Sequence, residues 1–222
     1  MQWSSRYLPL LFALWFVGIL LGLRGIRFRH RFGHHPFRFP RGDDMSAAAF
    51  LSRMLVICLS ATLLLGFVAA LAPEWLDRWD PLYRYRSPTM LTFGAVLMLI
   101  GAALVWRAQN DMGAAWRVGI DPTERTGLVT HGLFQFCRNP IYLGLQIGLC
   151  GFIGLVPSYF TVTLLMLASV LFQVQARLEE VHLLSQHGEL YSDYCHCVGR
   201  FLPWTGRFAD PKTDRKLDRP ES

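Results

Sequence analysis

Apolar residues along this chain fall into long runs rather than at strand spacing, and five of the runs are candidates for crossing a bilayer. They cover Leu8–Leu23, about Met54–Ala72, roughly Thr89–Trp106, Ile141–Val156 and Tyr159–Val174. A bilayer core asks for roughly 20 apolar residues, so the first, fourth and fifth runs are marginal in length. The pair Pro157-Ser158 separates the last two, which predicts an antiparallel helical hairpin packed along its whole length. The fifth helix should outlast its apolar run. Gln175, Glu179, His182 and Gln186 recur at helical spacing beside an apolar face of Val174, Leu178, Val181 and Leu184. One helix is therefore expected to leave the membrane carrying a polar stripe, until Gly188 stops it.

Composition agrees with a membrane protein. The 222 residues are 52% hydrophobic, with a mean hydropathy of +0.28. The formal charge of +6 becomes informative once it is mapped onto loops. Placing 24–53, 107–138 and the C-terminal tail on one side collects nearly all Arg and Lys, leaving Arg6, Arg78, Arg84 and Arg86 on the other. The positive-inside rule then puts the N-terminus outside and the C-terminus in the cytoplasm. Arg24, Arg27, Arg29, Arg31, Arg38 and Arg41, interleaved with Phe28, Phe32, Phe37 and Phe39, suit a topogenic segment lying on anionic lipid rather than a nucleic-acid arm. Trp75, Trp79, Tyr83 and Tyr85 suit an interfacial aromatic belt, with Glu74, Asp77 and Asp80 offsetting nearby Arg. The first run lacks a cleavage site and reads as a retained span. Five cysteines without framework spacing imply no disulfide scaffold.

These readings give an all-α, polytopic integral membrane protein of about five transmembrane helices. N-terminal helices and loops fill 1–106, a functional region with the hairpin fills 107–208, and 209–222 forms a disordered tail.

Candidate chemistry gathers in 127–203. In Arg138-Asn139-Pro140, Asn is a favoured N-cap and Pro a favoured first helical residue. Arg138 could snorkel to headgroups, or the free N–H groups of the helix start could face an anionic ligand. Gly144 and Gly148, continued by Gly151 and Gly154, and likewise Gly18 with Gly22, are spaced for a close helix contact. In the hairpin the same thinning could leave a lipid-sized groove. Glu179 shares its stripe with the two Gln and His182 and is expected to face a polar cavity, whereas Glu180 reads as a solvated helix end. Cys195-His196-Cys197 with His182 and His187 lacks the paired C-x₂-C spacing of a zinc site, so no metal is expected. No phosphate-binding glycine loop, zincin helix or nucleophile elbow appears.

The ordered set GLVTHGLFQFCRNPIYLG, the helical hairpin, then LEE…HGELYSDY…VGRFLP resembles the isoprenylcysteine carboxyl methyltransferase family. That family sits in a wider membrane group with phospholipid methyltransferases and, more distantly, sterol and steroid reductases. The preceding WRVGIDPTERT is similar to its bacterial branch, which implies a bacterial inner membrane. The resemblance covers about Trp116–Pro203. It implies a membrane enzyme using S-adenosylmethionine in a cytoplasmic pocket, with the cofactor surrounded by Thr126, Gly127, Leu128, Val129, Phe134, Arg138, Asn139, Pro140, Tyr142 and Glu179. Glu179 and Asn139 would hydrogen-bond the cofactor, and Arg138 would meet its carboxylate or act in positioning. Phe134 and Tyr142 would pack on the adenine or the sulfonium. Phe134 stands where family members often have Tyr, and Asn139 where many have His. Asn cannot titrate near neutrality, which favours an acceptor that arrives ionised. A substrate-binding Arg of eukaryotic members would align near Gln175. The expected function is methyl transfer to a lipophilic acceptor, a carboxylate, thiol or amine, entering from the bilayer. The alternatives are an NADPH-dependent sterol-type reductase, whose cationic patch would come from Arg117, Arg125 and Arg138, and a non-enzymatic membrane scaffold. No nucleic-acid partner is expected.

Overall fold

The computed structural model describes residues 3–18, 25–26, 29–30, 47–113 and 127–208. Most of the basic segment 24–42, the stretch 116–126 with Thr126, Arg117 and Arg125, and the tail 209–222 lie outside the described residues.

Among the described residues seven named α-helices follow one another: α1 Trp3–Val17, α2 Ala47–Leu71, α3 Pro73–Trp79, α4 Pro88–Met112, α5 Pro140–Leu155, α6 Tyr159–His187 and α7 Glu189–Cys197. Short 3-10 turns occupy Pro81–Tyr85 and Gly132–Gln135. Among the described residues the fold is all-α, with one isolated bridge between Cys137 and Gly199. Three helices, α2, α4 and α6, are long and apolar enough to cross a membrane, and α5 is a shorter apolar helix. α2 and α4 extend past the runs read from the sequence, since the polar residues at their ends continue the helix.

Glycine decides how α5 sits. A Cβ on Gly101 of α4 would lie 2.5 Å from the Gly144 carbonyl oxygen, and one on Gly94 would lie 2.5 Å from that of Gly151. The two backbones therefore touch, and the spacing read on α5 is a helix contact rather than a groove. The partner is a correction. α5 packs chiefly against α4, and its contact with its hairpin neighbour α6 is much smaller, so the hairpin does not pack along its whole length. Gly18, by contrast, meets nothing within 4 Å.

The hairpin turn is fixed from outside. Asp80, 1% exposed, accepts from Ser158 Oγ at 2.6 Å, from the Tyr159 N–H at 2.9 Å and from the Leu82 N–H at 3.0 Å. Ser158 and Thr161 add a reciprocal capping box at the start of α6. Asp80 is thus a buried latch, where loop charge balance was expected. Tyr83 also departs from the aromatic belt: it is buried in the core shared by α1, α2, α4 and α5, while Trp75, Trp79 and Tyr85 are exposed. Arg6 of α1 donates to the Ala70 and Leu71 carbonyls at the end of α2, joining the first two helices.

Replacing Gly101 with Leu drives a side chain into the α5 backbone. Overpacking of a tight core costs about 1–3 kcal/mol, and a backbone contact leaves less room to relax. The variant should lose thermal stability in detergent by at least that much, whereas Gly18→Leu should be neutral.

Candidate active site

The site lies at the end of the bundle opposite Asp80, where α4 ends, α5 begins and α6 leaves the apolar layer. Asn139 is the N-cap of α5 and Pro140 its first residue, as the tripeptide implied. The Asn139 side chain does not cap, however. Its Nδ2 donates to the Arg200 carbonyl at 3.1 Å, and its backbone N–H donates to the same oxygen at 3.1 Å. α6 runs without a break to His187, and Gly188 stops it at φ +54°.

Glu179 and Glu180 leave this helix in different directions, as adjacent helical residues must. Half-buried Glu179 accepts at Oε1 from the Tyr142 hydroxyl, and from Gln175 Nε2 at 3.1 Å. The Tyr142 ring stacks on Phe172 with centroids 5.3 Å apart. Gln175 Oε1 is buried and has no hydrogen-bond partner among the described residues. A buried acceptor left unsatisfied costs about 1–3 kcal/mol, so a ligand carrying N–H or O–H groups is favoured beside it. The polar stripe therefore exists at Gln175 and Glu179.

Glu180 corrects the reading from charge alone. It is buried, and Arg138 Nη2 and Arg200 Nη2 each approach it at 2.7 Å. Arg200 Nε adds a bond of 2.8 Å to Oε1, so it grips both carboxylate oxygens. Arg138 uses all five of its donors inside the protein. Nε and Nη2 donate to Glu180, Nη1 to the Cys195 and Val198 carbonyls, and Nη2 also to the Gly206 carbonyl. Phe208 covers the guanidinium at 5.5 Å. Arg138 neither snorkels nor has a donor left for a ligand, so of its two expected roles positioning fits the geometry. Arg200, which lies in the VGRFLP stretch but was assigned no role from sequence, completes the cluster.

The strap 198–208 is tied to this cluster through the backbone. Arg138 N–H donates to Gly199 O at 2.9 Å, and Phe208 N–H to Cys195 O at 3.1 Å. Phe134 is buried in its 3-10 turn, and its carbonyl accepts from the Tyr194 hydroxyl. Asp111 at the end of α4 fixes that turn by accepting from the Leu133 N–H at 2.9 Å. Gly127, Leu128 and Val129 lead into it without regular structure, Gly127 exposed and the others half-buried. Cys137 and Cys195 are buried; desolvation pushes the Cys137 thiol up to about 11 and raises that of Cys195. Cys197 is exposed, so the two Cys of the C-x-C pair look into different surroundings.

Comparison with known proteins follows the same stretch. Residues 89–189 match the model of the phospholipid methyltransferase family. The methyltransferase family resemblance holds. A nickel-cobalt-cadmium resistance protein, NccN, from Alcaligenes xylosoxydans xylosoxydans is 27% identical over 141 residues, which is 63% of this chain and 59% of that protein's length. The eukaryotic intramembrane Ras methyltransferase ICMT, an isoprenylcysteine carboxyl methyltransferase, shares the fold at a TM-score of 0.51 and 17% identity, covering 90% of this chain and 75% of that one. With its apolar helices, that fold makes this an integral membrane protein.

Glu180→Gln leaves two guanidinium groups facing a neutral amide. Breaking a buried pair from one side costs about 3–5 kcal/mol. Glu179→Gln keeps an acceptor for Tyr142 and should cost no more than about 1 kcal/mol, the centre of the range for point substitutions. Thermal unfolding of the two variants in one detergent should show that order.

Proposed function

We propose that the protein is a membrane-embedded, S-adenosylmethionine-dependent methyltransferase acting on a lipophilic acceptor. The observation that carries this reading is Glu179. It lies within the matched region, half-buried, with Tyr142 and Gln175 aiming its carboxylate and an unsatisfied carbonyl of Gln175 beside it. Two acceptors in a sheltered place suit the ammonium, amine or hydroxyl groups of the cofactor. When bound, the cofactor would supply an electrophilic methyl group on a sulfonium.

The chain's own residues then have separable tasks. Glu179 and Gln175 hold donor groups of the cofactor, and Tyr142 orients Glu179 while offering an aromatic face to positive charge. Phe134, Gly127, Leu128 and Val129 form the opposite wall in this reading. Asn139 and Pro140 fix the start of α5, with the Asn139 amide N–H groups committed to Arg200. Arg138 positions the strap. In-line transfer depends on holding donor and acceptor close and collinear, which is worth several powers of ten in rate.

Entry of the acceptor from the bilayer is consistent with the limited overall packing between α5 and α6. A carboxylate acceptor finds little support. Arg138 is consumed internally, and Gln175 presents an unsatisfied acceptor where a substrate-binding Arg aligns. With Gln175 turned to the cofactor, no described cation is left there for the ionised acceptor expected from Asn139. The reductase alternative loses Arg138 from its phosphate patch for the same reason. The positive-inside bias would place this end of the bundle in the cytoplasm of a bacterial inner membrane, where the cofactor is made.

Purified protein in detergent should bind S-adenosylmethionine, and Glu179→Gln should weaken that binding by at least about tenfold, the size of one charge-assisted hydrogen bond. Equal binding by the variant, or preferential stabilisation by NADPH, would remove the reading.

A further inference from the structure

We infer that Arg200 is a positioning residue that sets the register between Tyr142 and Glu179, an inference that rests on the proposed cofactor role of that pair. Tyr142 belongs to α5 and Glu179 to α6, two helices with limited mutual packing. Within the hairpin Tyr142 stacks on Phe172, and one turn away Gln146 Nε2 donates to Ser169 Oγ at 2.7 Å. A further link reaches both helices from outside it. Arg200 is connected to both sides at once. Its carbonyl oxygen accepts from the backbone N–H and from Nδ2 of Asn139, each at 3.1 Å, and from the Cys137 thiol at 3.6 Å. Asn139 lies three residues before Tyr142, and the carbonyl of Asn139 accepts the first bond of α5, from the Leu143 N–H at 3.1 Å. The side chain of Arg200 reaches the other helix. It grips Glu180, the residue next to Glu179, through Nε at 2.8 Å and Nη2 at 2.7 Å.

Both grips are directional. A side-on guanidinium fork on a carboxylate fixes an orientation as well as a distance, which a point-like ammonium does not. The Arg200 backbone is itself held, its N–H donating to Thr205 O at 2.7 Å. Arg138 fastens the same strap at Gly206 and Val198 while sharing the Glu180 carboxylate. Arg200 thus joins the first turn of α5 to the position beside Glu179 through a single side chain, without reaching Glu179 itself in any described hydrogen bond. A shift of about 1 Å at such a site can cost about a hundredfold in rate, so a register device matters as much as a contact.

Arg200→Gln is the useful variant, because Glu180 keeps its bonds to Arg138 and the backbone bonds to Asn139 do not involve the side chain. S-adenosylmethionine affinity would be measured in detergent for wild type, Arg200→Gln, Tyr142→Phe and the double variant, with thermal stability followed in parallel. Arg200→Gln and Tyr142→Phe should each weaken binding about tenfold, and the double variant should be little weaker than either, because both remove the same arrangement. Arg200→Lys, which keeps the charge and loses the fork, should recover only part of the affinity. Losses that multiply to about a hundredfold in the double variant would make Arg200 an independent contact or a general stabiliser and overturn the inference. Unchanged affinity in Arg200→Gln, with the wild type binding, would overturn it while leaving the function intact. A wild type that does not bind overturns both.

Discussion

One carboxylate shared by two guanidinium groups organises the functional end of this protein. Glu180 is buried, and burying a lone carboxylate costs far more than a domain's margin of stability, so the pairs with Arg138 and Arg200 are obligatory rather than decorative. The geometry meets the demand. Both Glu180 oxygens are bonded, and every Arg138 donor has a partner. Those partners come from α6, α7 and the strap. The hydrogen bonds that Arg200 donates to Glu180 raise the Arg200 proton affinity above its already high value. Against the desolvation of burial, the two guanidinium groups hold the Glu180 carboxyl below its ordinary value, so the pair is ionised at neutral pH.

The rest of the bundle presents the right elements to that carboxylate. Backbone contact between α4 and α5 at Gly94, Gly101, Gly144 and Gly151 fixes how far α5 stands from the bundle axis. At the opposite end Asp80 holds the start of α6 by accepting from Ser158 Oγ and from the Tyr159 N–H. Between these ends Tyr142 stacks on Phe172 and Gln146 Nε2 donates to Ser169 Oγ at 2.7 Å, so α5 and α6 are also joined beside the site. The proposed cofactor role depends on Tyr142 being held on Glu179, and these contacts share that task with the clasp.

Much of this was legible from residue order. Asn139-Pro140 at the start of α5, Ser158 at the start of α6, Gly188 at its end and the polar stripe through Gln175 and Glu179 all act within one or two helical turns, which is the range that spacing can report. What was not legible depends on partners far along the chain. Small-residue spacing on α5 shows which face comes close, but not that α4 rather than α6 receives it. Glu180 beside a membrane run looks solvated until Arg138, 42 residues earlier, and Arg200, 20 residues later, are brought to it. Asp80 was read as loop charge for the same reason, since its partner Ser158 lies 78 residues away. Arg200 lies in the VGRFLP stretch that carries the family resemblance, but spacing gives it no partner, and its contacts with Glu180 and Asn139 appear only in the fold.

The central claim is that the Glu179 site moves a methyl group onto a membrane-soluble acceptor. Wild-type protein reconstituted with a lipid extract and S-adenosylmethionine labelled on its methyl group would test it most directly, with Glu179→Gln as the comparison and the extracted lipid counted. Label should pass into the lipid fraction with wild type and fall by at least about tenfold with the variant, one lost charge-assisted hydrogen bond. Label that stays in the aqueous phase with both proteins, or that transfers equally with both, would contradict the account.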